Sequence, residues 1–131
     1  MTKKTLSYKK FFKLDCNEYT MDLNTERCNP EISRIPPLTR KEILELIKKV
    51  QGWSIAENKL TRTYQKENFG ECIAFINELD DLCKREGHYP DICIERGCVL
   101  TVSWYTYSCG GITRNDFIMA SKINQSERFR S

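Results

Sequence analysis

Apolar residues recur along this chain at two spacings, and the switches between them lay out its elements. From Thr39 the spacing is helical. Ile43, Leu44, Leu46, Ile47 and Val50 fall on one face at steps of three and four. Thr39 and Glu42 stand at capping-box distance, so each side chain can satisfy a free backbone N–H at the helix start. Lys48 and Lys49 suit the negative end of the helix dipole and Gly52 supplies a stop, which predicts a helix over 39–51. The period then drops to two. Trp53 and Ile55 alternate with polar residues, Glu57-Asn58 signals a turn, and Leu60, Arg62 and Tyr64 alternate with Thr61 and Thr63. That pattern predicts a hairpin.

The helical period returns after Asn68, which with Glu71 resembles a second capping box. Cys72, Phe75, Ile76, Leu79 and Leu82 form a core-facing stripe, opposite Glu78, Asp80, Asp81, Lys84 and Arg85. Gly87 marks the end, so a long helix is expected over 68–86. A second hairpin follows. Ile92 and Ile94 alternate within 91–95, Arg96-Gly97 turns the chain, and 99–107 reads as a strong strand. In it Leu100, Val102 and Trp104 point one way, and Thr101, Ser103, Tyr105 and Tyr107 the other. Gly110-Gly111 makes a corner. Thr113 and Asp116 open a last helix with Phe117, Ile118, Ala120 and Ile123 on its apolar side.

The order α-β-β-α-β-β-α predicts an α+β fold: a four-stranded antiparallel sheet with helices on one face. Open sheet edges favour self-association. Residues 1–36 show no sustained period and end in Ile35-Pro36-Pro37, which reads as an N-terminal extension, flexible or loosely docked. The domain is expected over 37–124, with a C-terminal tail at 125–131.

Composition narrows the class. The chain has 131 residues, 40% hydrophobic and 30% charged, which suits one globular domain. No apolar run approaches the roughly 20 residues of a membrane helix, and the first twenty residues lack the apolar core of a secretory signal. A net charge of +3 is too small to argue for nucleic acid. Part of it sits at Lys3, Lys4, Lys9, Lys10 and Lys13, read as a solvated tail. Organelle targeting by this segment is left open, and the expected location is cytoplasmic, with a nuclear one also open. The seven cysteines are odd in number and none are paired at the two-residue gap of a zinc knuckle. Reduced, packed thiols are expected, with no disulfide framework, metal site or cofactor.

His88 is the sole histidine. It lies in Gly87-His88-Tyr89-Pro90, and the proline restrains Tyr89 to extended geometry. A helix-to-strand corner is a common place for functional side chains, and imidazole is the group best able to move protons near neutral pH. The competing reading is an ordinary loop histidine.

Several pieces in this order resemble the pterin-4a-carbinolamine dehydratase family. They are Gly52-Trp53, Lys59-Leu60-Thr61-Arg62-Thr63-Tyr64, Phe75, His88-Tyr89-Pro90-Asp91, Leu100 to Tyr107, Gly110-Gly111-Ile112-Thr113 and Asp116. The resemblance covers about two thirds of the chain, from Leu38 to Ile123. It implies loss of water from a 4a-hydroxytetrahydropterin, such as 4a-hydroxytetrahydrobiopterin, giving the quinonoid dihydropterin in tetrahydrobiopterin recycling. His88 matches the family's first His and Asp116 its Asp. The chain departs at Tyr89 and Tyr107, where the family has its second and third His, and its second hairpin is one residue longer around Arg96 to Val99.

The resemblance therefore implies catalytic roles for His88, Tyr89, Tyr107 and Asp116, and substrate binding by His88, Tyr89, Pro90 and Tyr107. His88 would move the key proton, the two tyrosines would position the pterin, and Asp116 would orient a partner. Each has a plainer rival: Asp116 as a helix cap, Tyr107 as a strand aromatic. Phenol is a far weaker base than imidazole, though it can donate a proton, so activity is expected to be reduced. The partners implied are a pterin substrate and a second copy in a homodimer or homotetramer. The alternative function is a weakly active or inactive pterin-binding or dimerisation-cofactor module with a protein partner.

Overall fold

In the computed structural model, residues 22–126 and 129 are described. Helix α1 (Arg40–Ile47) begins on the full capping box: the Glu42 N–H donates to Thr39 Oγ1 at 3.2 Å, and the Thr39 N–H to Glu42 Oε1 at 2.8 Å. It stops four residues short of the expected end. The backbone instead tightens, with Lys49 N–H bonding to Leu46 and Val50 N–H to Ile47. This turn tucks Val50 and Trp53 into the core.

Strands β1 (Ser54–Ala56) and β2 (Lys59–Gln65) form the first hairpin. Its turn residues Glu57 and Asn58 both have positive φ, at 52° and 66°, the geometry of a two-residue turn matched to strand twist. Helix α2 (Phe69–Glu86) is capped by Asn68, whose Oδ1 accepts from the Glu71 N–H at 2.9 Å. The Glu71 carboxylate bonds the N–H of Glu67, one residue before the expected partner. Gly87 ends the helix in the left-handed region, φ 70°.

Strands β3 (Asp91–Glu95) and β4 (Val99–Trp104) complete an antiparallel sheet of order β1-β2-β4-β3. β4 ends three residues early, because Thr106 pairs with Gly111 and closes the 106–111 loop. Helix α3 (Arg114–Gln125) follows. The fold is the expected α+β arrangement in the expected order. Leu60, Tyr64, Leu100, Val102 and Trp104 face the helices and are buried. The other face carries a hydroxyl ladder, Thr61 with Ser103 and Thr63 with Thr101.

The expectation for residues 1–21 lies outside the described residues. Residues 22–36 are anchored rather than loose. Leu23 is buried in the core, Arg114 grips Glu26 with two bonds of 2.7 and 2.9 Å, and Asn29 exchanges two bonds with Asn115. The Cys28 N–H donates to Glu86, whose carboxylate also meets Arg27 and Lys122. These partners are irregularly spaced, so no period in the sequence announces them. In the tail, Phe129 packs edge-on against Phe75.

Candidate active site

One end of the sheet gathers the chemistry. It is where β2 and β3 begin, β4 ends, α2 stops and α3 starts. The left-handed Gly87 turns the chain off α2 and delivers His88 inward rather than to solvent; His88 is 9% exposed. Its ring lies parallel to that of Trp104, 11° between planes and 5.6 Å between centroids. Its Nε2 sits 2.6 Å from Asp116 Oδ1.

Asp116 is fully buried. Its second oxygen accepts from the Thr113 N–H at 2.8 Å and the Thr106 hydroxyl at 2.9 Å. The Thr106 hydroxyl hydrogen is thus committed, so in the 2.7 Å contact between Thr106 and Thr113 the Thr113 hydroxyl donates. The first turn of α3 adds the favourable field of a helix N-terminus. Asp116 therefore caps its helix and also holds His88, two roles that sequence reasoning had set as rivals. With a carboxylate accepting at Nε2, the neutral form of the imidazole carries its hydrogen there and its lone pair on Nδ1.

The tyrosines stand apart. Tyr107 is 64% exposed and Tyr89 59%. Tyr107 donates to Asp91 Oδ2, and Lys59 Nζ lies 2.9 Å from both of those oxygens. The phenol and the ammonium hold the Asp91 carboxyl below its usual range, and Lys59 is in turn pushed up by Tyr107 and Asp91. Tyr89 and Pro90 line an apolar hollow of about 150 Å³ with Leu79, Cys83 and Ile92. Among the described residues, no hydrogen bond or ring contact joins His88 to Tyr89 or Tyr107. The structure thus brings His88 and Asp116 together and leaves the two tyrosines at separate points around them.

Sequence reasoning missed Thr106, Thr113's second role, Lys59 and Asp91. A faint signal existed for the last two. Lys59 and Asp91 open their strands in phase with Thr61 and Cys93, on the face that carries Ser103. Among the described residues no group of three or more His, Cys, Asp or Glu is placed to hold a metal. Burial pushes the Cys28 and Cys83 thiols up to about 12, so both stay protonated at neutral pH. No helix among the described residues is long and apolar enough to cross a membrane.

A four-stranded α+β domain with a buried histidine–carboxylate pair at one sheet end defines a class with the means for acid–base chemistry. The chain belongs to the pterin 4 alpha carbinolamine dehydratase family, whose model matches residues 36–126. A protein of Nitrosomonas europaea is 36% identical over 104 residues, spanning 79% of this chain and 91% of its own. One of Methylococcus capsulatus is 40% identical over 105 residues, with 79% and 91% covered. Both are named provisionally as pterin-4-alpha-carbinolamine dehydratases. A Brucella melitensis crystal structure described as a transcriptional coactivator/pterin dehydratase shares the fold, with a TM-score of 0.61 over 67% of this chain and 95% of that one, at 24% identity.

Proposed function

We propose that this protein catalyses the loss of water from a 4a-hydroxytetrahydropterin, giving the quinonoid dihydropterin, as in tetrahydrobiopterin recycling. The observation that carries this is the His88 Nε2 to Asp116 Oδ1 contact of 2.6 Å, in a buried site, in a chain of this family. The reaction must protonate a departing hydroxyl and remove a proton from the adjacent ring nitrogen. An imidazole whose tautomer is fixed by a carboxylate suits the second task, because it presents a lone pair with no proton to shed first. Tyr89, Tyr107 and Pro90 are proposed to line the pterin, since a flat heterocycle stacks on aromatic faces and bonds to phenol oxygens.

The test is the decay of freshly generated 4a-hydroxytetrahydropterin, wild type against His88→Ala. General acid–base help is typically worth about 10²–10⁴ in rate, so the variant should lose at least a hundredfold. Wild type and variant both running at the uncatalysed rate would reject the reading. Restoring the family's imidazoles with Tyr89→His and Tyr107→His together should raise turnover.

A second reading rests on exposed apolar groups. Phe69 and Ile73 near the start of α2, and Tyr89 and Ile92 beyond its end, are large side chains open to solvent. Such exposed groups fit a protein partner or another copy of the chain. Light scattering reads the second case directly; a clean monomer counts against a homodimer or homotetramer.

A further inference from the structure

His88 and Asp116 both stand at helix ends, the parts of a helix most prone to fray. His88 follows the end of α2 with only Gly87 between, and Asp116 is the third residue of α3. The chain before α1 crosses both ends, and its contacts fall on the residues beside the pair. Arg27 Nη2 donates to the Arg85 carbonyl at 3.0 Å, one of those that the end of α2 leaves without an internal partner. The Cys28 N–H donates to Glu86 Oε1 at 2.9 Å, and Arg27 Nε meets the other oxygen of that carboxylate at 3.1 Å. On α3, Glu26 accepts both bonds from Arg114, and the Asn29 backbone exchanges bonds of 2.8 and 3.0 Å with the Asn115 amide. The Cys28 thiol also donates to the Asn115 carbonyl at 3.8 Å. Adjacent residues of one segment thus join position 86 to position 115.

We propose that Glu86, Arg114 and Asn115 are positioning residues, through which the segment 26–29 sets the spacing of His88 Nε2 from Asp116 Oδ1; its effect on turnover rests on the dehydratase reading above. Catalytic groups must be held to within about 0.5 Å. The 2.6 Å contact joins residues 28 positions apart, so no local backbone bond keeps it at that length. The segment supplies the missing brace. The Glu86 side chain is 5% exposed and Asn115 3%, so the brace meets each helix through a group sealed from water. The segment is itself fixed further back, where Leu23 is buried and Lys122 Nζ donates to the Asn24 carbonyl at 2.7 Å.

Exposure separates this role from general stability. Asn29 is open to solvent, and the Glu26 and Arg114 side chains are partly so. Water replaces their bonds when they are lost, so the fold as a whole gives up little. The contact at Asp116 is buried and depends on placement, so it registers a change that overall stability barely feels.

The experiment takes two readings of the full chain: steady-state dehydration, and proton NMR of the 15N-labelled protein. His88 is the sole histidine, so its ring N–H gives one signal that needs no further assignment. A hydrogen held between Nε2 and a carboxylate at 2.6 Å resonates far downfield, and it moves upfield as the bond lengthens. Asn115→Ala and Glu26→Arg should each move it upfield and lower kcat about tenfold with KM little changed, as lost placement does. The swap Glu26→Arg/Arg114→Glu restores the ion pair and should recover most of both losses. Val50→Ala opens a cavity in the core without touching the segment, so it should lower stability in urea and leave the signal in place. A signal unmoved in Asn115→Ala and Glu26→Arg, or moved as far by Val50→Ala, would overturn the inference and leave the dehydratase reading standing. Wild-type turnover at the uncatalysed rate would overturn that reading and the segment's part in it.

Discussion

The His88 cluster and the Tyr107 cluster occupy the same end of one sheet but opposite faces of it. His88 stacks on Trp104, whose strand neighbours Val102 and Leu100 face the helices, whereas Lys59 and Asp91 share the open face with Thr61 and Ser103. Both clusters join a carboxylate to a proton-bearing side chain at short range. Their energetics differ because water reaches only one. Asp116 is sealed, so each of its bonds replaces hydration that the folded chain cannot otherwise supply. Asp91 keeps about half of its side-chain exposure, so solvent screens its charge and competes for its bonds. The same bond types therefore hold the fold together on one face and orient groups on the other.

The largest test of this contrast is Asp116→Ala. It strands His88, Thr106 and the Thr113 N–H in a dry pocket, and removing one partner of a buried pair typically costs about 3–5 kcal/mol. Urea unfolding should show that loss, and one below about 1 kcal/mol would break the comparison. Thr106→Val removes only the hydroxyl between Asp116 and Thr113, and about 1–3 kcal/mol is expected by the same measurement.

Glu86→Gln sharpens the contrast through pH. Burial pushes the Glu86 carboxyl up, but the Cys28 N–H, Lys122 and Arg27 together outweigh it and hold the group below its ordinary value. A lowered folded-state value means the stabilisation is fully present above the unfolded value, near 4.3, and is lost as pH falls through the folded one. The stability gap between wild type and variant should hold steady from about pH 7 to 5 and close below about pH 4. A gap that widens in acid would contradict the sign. The smallest effect belongs to Lys59→Met, whose thermal midpoint should stay within error of wild type, since its ion pair with Asp91 is open to solvent.

Much of the fold was legible because its signals are local. The Thr39–Glu42 box, the Glu57-Asn58 and Arg96-Gly97 turns and the Gly87 stop each act within a few residues, and each sits in the structure where the pattern put it. The errors fell at ends. Helix α1 stops early because Val50 and Trp53 turn into the core, and β4 stops early because Thr106 pairs with Gly111. Both are tertiary choices that overrule a continuing local pattern. Of the site, His88 and Asp116 could be named in advance, yet their pairing spans 28 positions and no periodicity encodes it.

By itself the sequence determined the element order, the caps and turns, and which strand residues face the helices, because backbone geometry and side-chain alternation depend on near neighbours. Only the tertiary structure decided that His88 turns inward to a sealed carboxylate while Tyr107 joins Lys59 and Asp91 on the open face. Such contacts depend on which elements are packed side by side and on how much water is left between them. Those are properties of the assembled layers, which no stretch of neighbouring residues carries.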